Sequence, residues 1–418
     1  MVTFTTLSRS RWLRGMLAAA MLSGCGAPRT GAQQLDLDSL LRADRLRLDF
    51  TTDRSSGPGF DFLVEAAAGA QFVMVGESHN VKEIPQFTAQ LFRVLHDRFG
   101  FDYLALEDGP FIAELYSDVR GDREASFALA NRYVNALQFW NDQDIQLILN
   151  AGRISEAPGP PVWGLDQAWG ALHILDRLRD LAPDPAARAT AARLVDRVRA
   201  LEARRPGEGR TRYISDTTTA ADIDELERTF ADGGPEAQRL IEMLEISNHI
   251  YRIRALRPNI YVSNNTRERY MRRNFMERYN QARASGTSLP RVLLKFGQWH
   301  AIKGKNWGDV MALGTMISEL AGSNGMESLH IWTGLVNEPG HFWTLSDYAD
   351  YLPLANAGST DHWTVMDFRP LRRYAAAGML PGLNDELKLV IFGFDVGVLI
   401  GSGNRATAQL VRERGDGG

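Results

Sequence analysis

Short apolar runs that stop abruptly at polar residues, separated by longer segments of helical periodicity, constrain this chain more than any other feature. The run "FVMVGESHN" (72–80) sets the pattern: a buried-strand stretch ends at Gly76, and Glu77, Ser78, His79 and Asn80 follow together. In "EIPQFTAQLFRVLHDRFG", Ile84, Phe87, Leu91 and Leu95 recur at helical spacing and Gly100 is a stop signal. "DYLALE" (102–107) and "PVWGLD" (161–166) are the next strands. Strand, helix, strand in this rhythm implies right-handed crossovers and a mostly parallel sheet. The expected class is α/β, a three-layer Rossmann-like sheet.

From about 168 to 285 the pattern becomes nearly all helical, as in "EAQRLIEMLEISNHIYRIRAL" and "TRERYMRRNFMERYN". This predicts a helical insertion, or cap, on the α/β core. The sheet rhythm resumes with "RVLLKFGQWH" and a helix carrying Val310, Leu313, Ile317 and Leu320. "SLHIWTGL", "HWTVMDF" and "LKLVIFGFDVGVLIG" are expected as the last strands.

The N-terminus has a different job. Arg9, Arg11 and Arg14 precede the short apolar run "GMLAAAML", which is too short to span a bilayer permanently. "LSGC" then ends at Cys25, the only cysteine among 418 residues. This resembles the bacterial lipobox, so residues 1–24 are expected to be a signal peptide and Cys25 the lipidated first residue of the mature chain. Residues 25–58 are expected as a tether or N-terminal wrap, and 59–418 as the α/β domain. A lipid anchor would hold the protein at a membrane in the bacterial cell envelope. With no Asp after Cys25, the outer membrane facing the periplasm is the expected address. A net charge of -4 with no basic stripe argues against nucleic acid as a partner.

In an open parallel sheet, ligands bind at the carboxyl ends of the strands. Glu77 and His79 follow the first of these strands, Glu107 the second, Asp166 the third, and His300 a later one in "LKFGQWHA". Repeated delivery of titratable groups to one edge predicts a shared site for Glu77, His79, Glu107 and His300. For Asp166, a satisfied loop residue or helix cap explains the position equally well.

These segments are similar to the erythromycin esterase family, whose pattern is G-E-x-x-H, a helix, and a strand ending in Glu. Here His79 comes two residues after Glu77, closer to the G-E-x-H form of the related ChaN-type and Tiki-type proteins. "WGLD" resembles the family's G-x-D strand end, and "TRERYMRRNF" its R-[DE]-x-x-M-x-x-N helix, on Arg267, Glu268, Met271 and Asn274. "FGQWHAIKG" and "FDVGVLIGS" resemble its late segments. The resemblance implies a hydrolase acting on a small-molecule ester, with Glu77, His79, Glu107, Arg267 and His300 catalytic. Asp166, Asn274 and Trp299 are the expected substrate contacts, with Trp140 and Trp169 as further aromatic candidates or core residues.

The chemistry is consistent with water attack. A histidine beside carboxylates can take a proton from water, while glutamate fixes its tautomer. Arg267 or His300 is the expected oxyanion donor. No G-x-S-x-G elbow is present and no cysteine is available as nucleophile. No cofactor is required on this reading. Two alternatives come with the relatives: a divalent metal (Zn, Mn or Fe) held by Glu77, His79, Glu107 and His300, as in Tiki-type peptidases, or haem or iron binding by a ChaN-type lipoprotein.

The lipobox carries its own test. Mass spectrometry of the membrane fraction is expected to yield an acylated N-terminal peptide beginning at Cys25. Undiminished membrane association of a Cys25→Ala variant would overturn the assignment.

Overall fold

The computed structural model describes residues 34–202, 213–255, 260–337 and 343–409, and its described chain contains one nine-stranded sheet. Cys25 and the signal-peptide segment lie outside the described residues. The strands are β1 (Leu46–Phe50), β2 (Ser55–Ser56), β3 (Ala70–Glu77), β4 (Phe101–Leu106), β5 (Val162–Gly164), β6 (Arg291–Gly297), β7 (Glu327–Leu335), β8 (Trp363–Asp367) and β9 (Val396–Ile400). They lie in the order β2-β1-β8-β9-β7-β3-β6-β4-β5. From β9 to β5 every pairing is parallel, while β8, β1 and β2 add an antiparallel edge. The sheet is therefore mostly parallel, and the α/β class follows.

Alternation along the strands builds two cores. Val73 and Val75 of β3, with Leu104 and Leu293, face one layer; Phe72 and Met74, with Tyr103 and Leu294, face the other. A strand with both faces covered must be apolar throughout, which is why these runs look continuous rather than alternating. The first layer includes the helices Glu83–Phe99 and Asp142–Ile154, which contribute Ile84, Phe87 and Leu91, and Ile145 and Ile148. The second includes the helix Ile260–Ala284, through Met271, Phe275 and Tyr279. Between β5 and β6 the described chain holds six helices, from Leu172–Asp180 to Ile260–Ala284, and no strand.

Three expectations need correction. The segment assigned to a tether or wrap enters the fold well before residue 58: the unit begins at Leu35, helix Leu37–Ala43 buries Leu37 and Leu41, and β1 pairs with β8. The stretch "LKLVIFG" is not strand. Asn384 accepts a hydrogen bond from Leu387 N at 2.8 Å, capping a helix Asp385–Gly393 that buries Leu387, Val390 and Ile391 on one face. A short apolar run fits either period, and here the cap decides it. Only "VGVLI" becomes β9. Val310 lies ahead of its expected helix, which begins at Leu313, but is buried all the same.

Gly100 ends the helix Glu83–Phe99 in the left-handed region (φ 71°), donating its N–H to His96 O at 3.0 Å and turning the chain directly into β4. A methyl group there would meet nothing within 4 Å, so any penalty is purely conformational. Gly100→Ala is expected to lower unfolding free energy by about 1 kcal/mol in denaturant titration, with Gly100→Asn closer to wild type.

Candidate active site

Two buried carboxylates stand at the ends of β3 and β4, on either side of β6. Glu77 continues the alternation of Val73 and Val75 and pairs in register with Gly297 of β6. Two residues earlier on β6, Lys295 lies on the same face, and its Nζ meets Glu77 Oε2 at 2.7 Å and Asp144 Oδ1 at 2.8 Å. Asp144 comes from the first turn of the helix Asp142–Ile154, where Asn141 Nδ2 donates to Asp144 Oδ2 at 2.7 Å. Glu107 directly follows the last residue of β4 and meets Arg267 of the helix Ile260–Ala284, which packs in the second layer.

Arg267 is the cation of this second pair. Its Nη2 donates to Glu107 Oε1 at 2.6 Å, its Nε to Asp166 Oδ1 at 2.9 Å, and its Nη2 also to Asp166 Oδ2. The guanidinium also lies over the Trp169 ring, 5.6 Å from its centroid. The second oxygen of Glu107 accepts the Gly297 N–H at 2.7 Å. His300 Nδ1 donates to Glu268 Oε1 at 2.7 Å, and Glu268 Oε2 accepts Leu313 N–H at 2.7 Å. The other ring nitrogen of His300 stands 3.7 Å from Glu107.

His79 is the exposed member. Its side chain is 41% accessible while that of Glu77 is 3%. Its Nδ1 lies 3.2 Å from Glu77 Oε1, and since a carboxylate only accepts, Nδ1 carries the hydrogen and Nε2 is left as the basic nitrogen. Phe139 covers one side of the ring at 4.8 Å between centroids. The rest of the ring packs on Gly297, where a Cβ would come within 2.8 Å of His79 Cε1. A side chain at 297 would therefore force the imidazole to shift.

The chain around His79 is pinned from several sides. Thr333 Oγ1 accepts Ser78 N–H at 3.3 Å and donates to Gly76 O at 2.8 Å. Asn80 adopts φ 65°, and residues 404–406 strap the loop: Ala406 N donates to Asn80 O at 2.8 Å, Lys82 N to Asn404 O at 2.9 Å, and Asn404 N to the Glu83 carboxylate at 2.9 Å. A cavity of about 440 Å³ opens here, lined by Ser78, His79, Asn80, Val81, Leu335, Trp343 and Arg405. A larger one of about 1000 Å³ lies apart, between residues 52–61, the helix Glu83–Phe99 and the helix Asp142–Ile154, and contains none of the clustered strand-end groups. Of the two, only the smaller is lined by His79.

Burial alone would protonate these acids, and the cations decide which resist. For Glu77, burial pushes the carboxyl up, but Lys295 and His79 outweigh it and hold it below its ordinary range. Glu107 is likewise lowered against burial by Arg267, His300, His79 and the Gly297 N–H. Asp144 moves the opposite way: burial and the Glu77 charge exceed what Lys295 returns. Asp108, buried behind Glu107 and accepting Gln138 N–H at 2.6 Å, is pushed up to about 7, chiefly by burial. Burial lowers the His79 pKa, yet Glu77 and Glu107 together raise it above 6.5.

The expected residues therefore meet, with changes of role. Arg267 enters the strand-end cluster, but its Nε and Nη2 are committed to Asp166 and Glu107, so it orients Glu107 rather than waiting for an oxyanion. His300 is buried and faces Glu107 and Glu268, which also removes it as an oxyanion donor facing the cavity. Asp166 is not a substrate contact, being fully buried with both oxygens bound by Arg267. Asn274 is buried and donates to Leu165 O at 2.8 Å, holding β5's exit. Trp299 is exposed and stacks on Trp307, and neither lines the His79 cavity. Trp140 donates to Ala130 O at 2.9 Å and belongs to the packing. Sequence reasoning missed Lys295, Asp144 and Gly297; a lysine inside the apolar run "RVLLKFG" was the available signal.

Glu77, His79 and Glu107 bring possible metal-ligand atoms within 4.8 Å of one another, and His300 is not part of that group. The carboxylate oxygens of this group have partners within the protein. All four carboxylate oxygens already accept hydrogen bonds or face a charged donor, and two of those donors are the cations Lys295 and Arg267.

These features define a mostly parallel α/β protein with a histidine–carboxylate cleft at the strand ends. The same fold occurs in an erythromycin esterase, EreC, solved in its open conformation: TM-score 0.55, 14% identity, covering 86% of this chain and 98% of that one. A Bacillus cereus protein (TM-score 0.54, 15% identity, 89% and 98% covered) and a succinoglycan biosynthesis protein (0.53, 13%, 89% and 98%) share it too. At such identities the likeness concerns the fold. No protein-family model matches the sequence, and no curated protein matches it significantly.

Because Lys295 is buried between Glu77 and Asp144, Lys295→Met is expected to cost about 3–5 kcal/mol in unfolding free energy at pH 7. The double variant Lys295→Met/Asp144→Asn is expected to regain part of it. Equal losses in the two variants would show that charge pairing is not the cause.

Proposed function

We propose that the protein is a metal-independent hydrolase of small-molecule esters, with His79 as the general base. The observation that carries this reading is the hydrogen bond from His79 Nδ1 to the buried Glu77, which leaves Nε2 as the basic nitrogen of a side chain 41% accessible beside a cavity. The esterase resemblance of the sequence and the fold shared with an erythromycin esterase support it. They do not fix the substrate, since function belongs to the site rather than the fold.

The steps follow from the geometry. His79 Nε2 takes a proton from water as the water oxygen attacks the ester carbonyl carbon. Glu77 stabilises the resulting imidazolium across the 3.2 Å contact, and the tetrahedral adduct collapses when Nε2–H returns its proton to the departing alkoxide. Glu107, held in place by Arg267 and Gly297, adds negative potential that favours the protonated ring. Lys295 keeps Glu77 ionised. The base is thereby strengthened without direct contact from either cation.

We also propose that a lipid on Cys25 places this domain at the envelope membrane. Among the described residues no helix is long and apolar enough to cross one.

A screen of simple esters tests the mechanism. His79→Ala is expected to lose on the order of a hundredfold in kcat, and His79→Asn nearly as much. Because the base must be neutral, kcat/KM should rise with pH through a midpoint above 6.5, the direction in which Glu77 and Glu107 move the imidazole. Glu77→Gln should shift that midpoint downward. Hydrolysis abolished by chelator, or His79→Ala turning over at the wild-type rate, would overturn the reading.

A further inference from the structure

The cavity beside His79 has one wall with no part in the steps above. Trp343 lines it together with Leu335 and Val81, yet its side chain is among the most exposed large apolar groups of the described chain, at 73%. An indole this exposed is ordinarily mobile or covered by a partner. Here it is backed by an aromatic stack that runs into the core. The Trp343 ring lies on Tyr348, 5.3 Å between centroids and 16° between planes. Tyr348 meets Tyr351 edge-on at 6.2 Å, and Tyr351 stacks on Trp332 at 6.0 Å. Trp332 is buried on β7, and Tyr351 OH donates to Glu386 Oε2 at 2.9 Å.

One face of the indole is therefore used in stacking, and its high exposure leaves the other open. We infer that Trp343 is a specificity-determining residue whose free face receives an apolar ring, aromatic or saturated, carried by the ester substrate. Three observations converge: a stacked and thus oriented indole, its position on the same cavity as His79, and the apolar Leu335 and Val81 lining that cavity. A flat π surface fixed in position favours a ring over a flexible chain, because a ring presents its contact area without losing internal rotations. This inference rests on the hydrolase reading for its kinetic test, but not for its binding test.

The experiment compares phenyl, cyclohexyl and n-butyl acetate as substrates of the full chain, for wild type, Trp343→Ala and Trp343→Phe. Loss of the indole should raise KM about five- to tenfold for the two ring esters, with kcat within about twofold, and leave n-butyl acetate unchanged. Phenylalanine should restore most of the difference. Sensitivity of phenyl acetate alone would assign the site to aromatic rings; sensitivity of both ring esters would assign it to ring faces in general. Equal losses on all three esters, or none on either ring ester, would overturn the inference. If wild type hydrolyses none of them, the hydrolase reading fails, and titration calorimetry with 2-naphthol and cyclohexanol decides separately. Weaker binding of either to Trp343→Ala than to wild type would sustain the ring site, whereas equal or absent binding of both would sink it.

Discussion

Ion pairing between strand ends and the two helical layers is the constraint around which this protein is arranged. Glu77 and Glu107 are buried at adjacent parts of one sheet edge, where unpaired carboxylates would cost several kcal/mol each. Each carboxylate has its own cation: Lys295 pairs with Glu77 and Arg267 with Glu107. Each cation then recruits a second acid, Asp144 or Asp166, and through it ties a helix or a neighbouring strand end to the cluster. The long helix between β5 and β6 is thereby fixed to the sheet edge through charge as well as through Met271, Phe275 and Tyr279.

The same arrangement shapes the potential at the open side. The cations lie deep and the imidazole lies shallow, so His79 meets the carboxylates before it meets their partners. Its pKa is raised because Glu77 and Glu107 outweigh burial and Lys295. The buried pairs act less as a source of stability than as a means of keeping two negative charges ionised beneath an accessible imidazole.

Much of the framework was legible because it rests on local signals. Apolar runs ending in polar residues marked β3 to β7, and Gly100 marked a helix end that the structure realises at φ 71°. Glu77, His79, Glu107 and His300 were visible because strand ends in a parallel sheet share one edge. Lys295 and Asp144 were not, since their meaning depends on which face of the sheet each side chain takes and on a helix that arrives from elsewhere in the chain. The run "LKLVIFG" failed for a related reason: periodicity over seven residues cannot separate helix from strand, whereas the Asn384 cap can. Asp166 was correctly placed and incorrectly employed, because sequence shows where a carboxylate emerges but not that an arginine has already taken both its oxygens.

The strap over the His79 loop has a consequence in time. Asn404 and Ala406 hold residues more than three hundred positions earlier in the chain, and Val81 bridges to Arg405. Contacts of such separation form late, after the entropy of closing the intervening chain has been met. During synthesis the ribosome must release residue 406 before this clamp can close, although the Glu77–Lys295 pair can form a hundred residues earlier. The loop that carries His79 would be the last part of the cleft to be clamped, and a nascent or C-terminally clipped chain would hold it only through Glu77, Phe139 and Thr333. A fully clamped loop would then report that the chain had been made through to the strap.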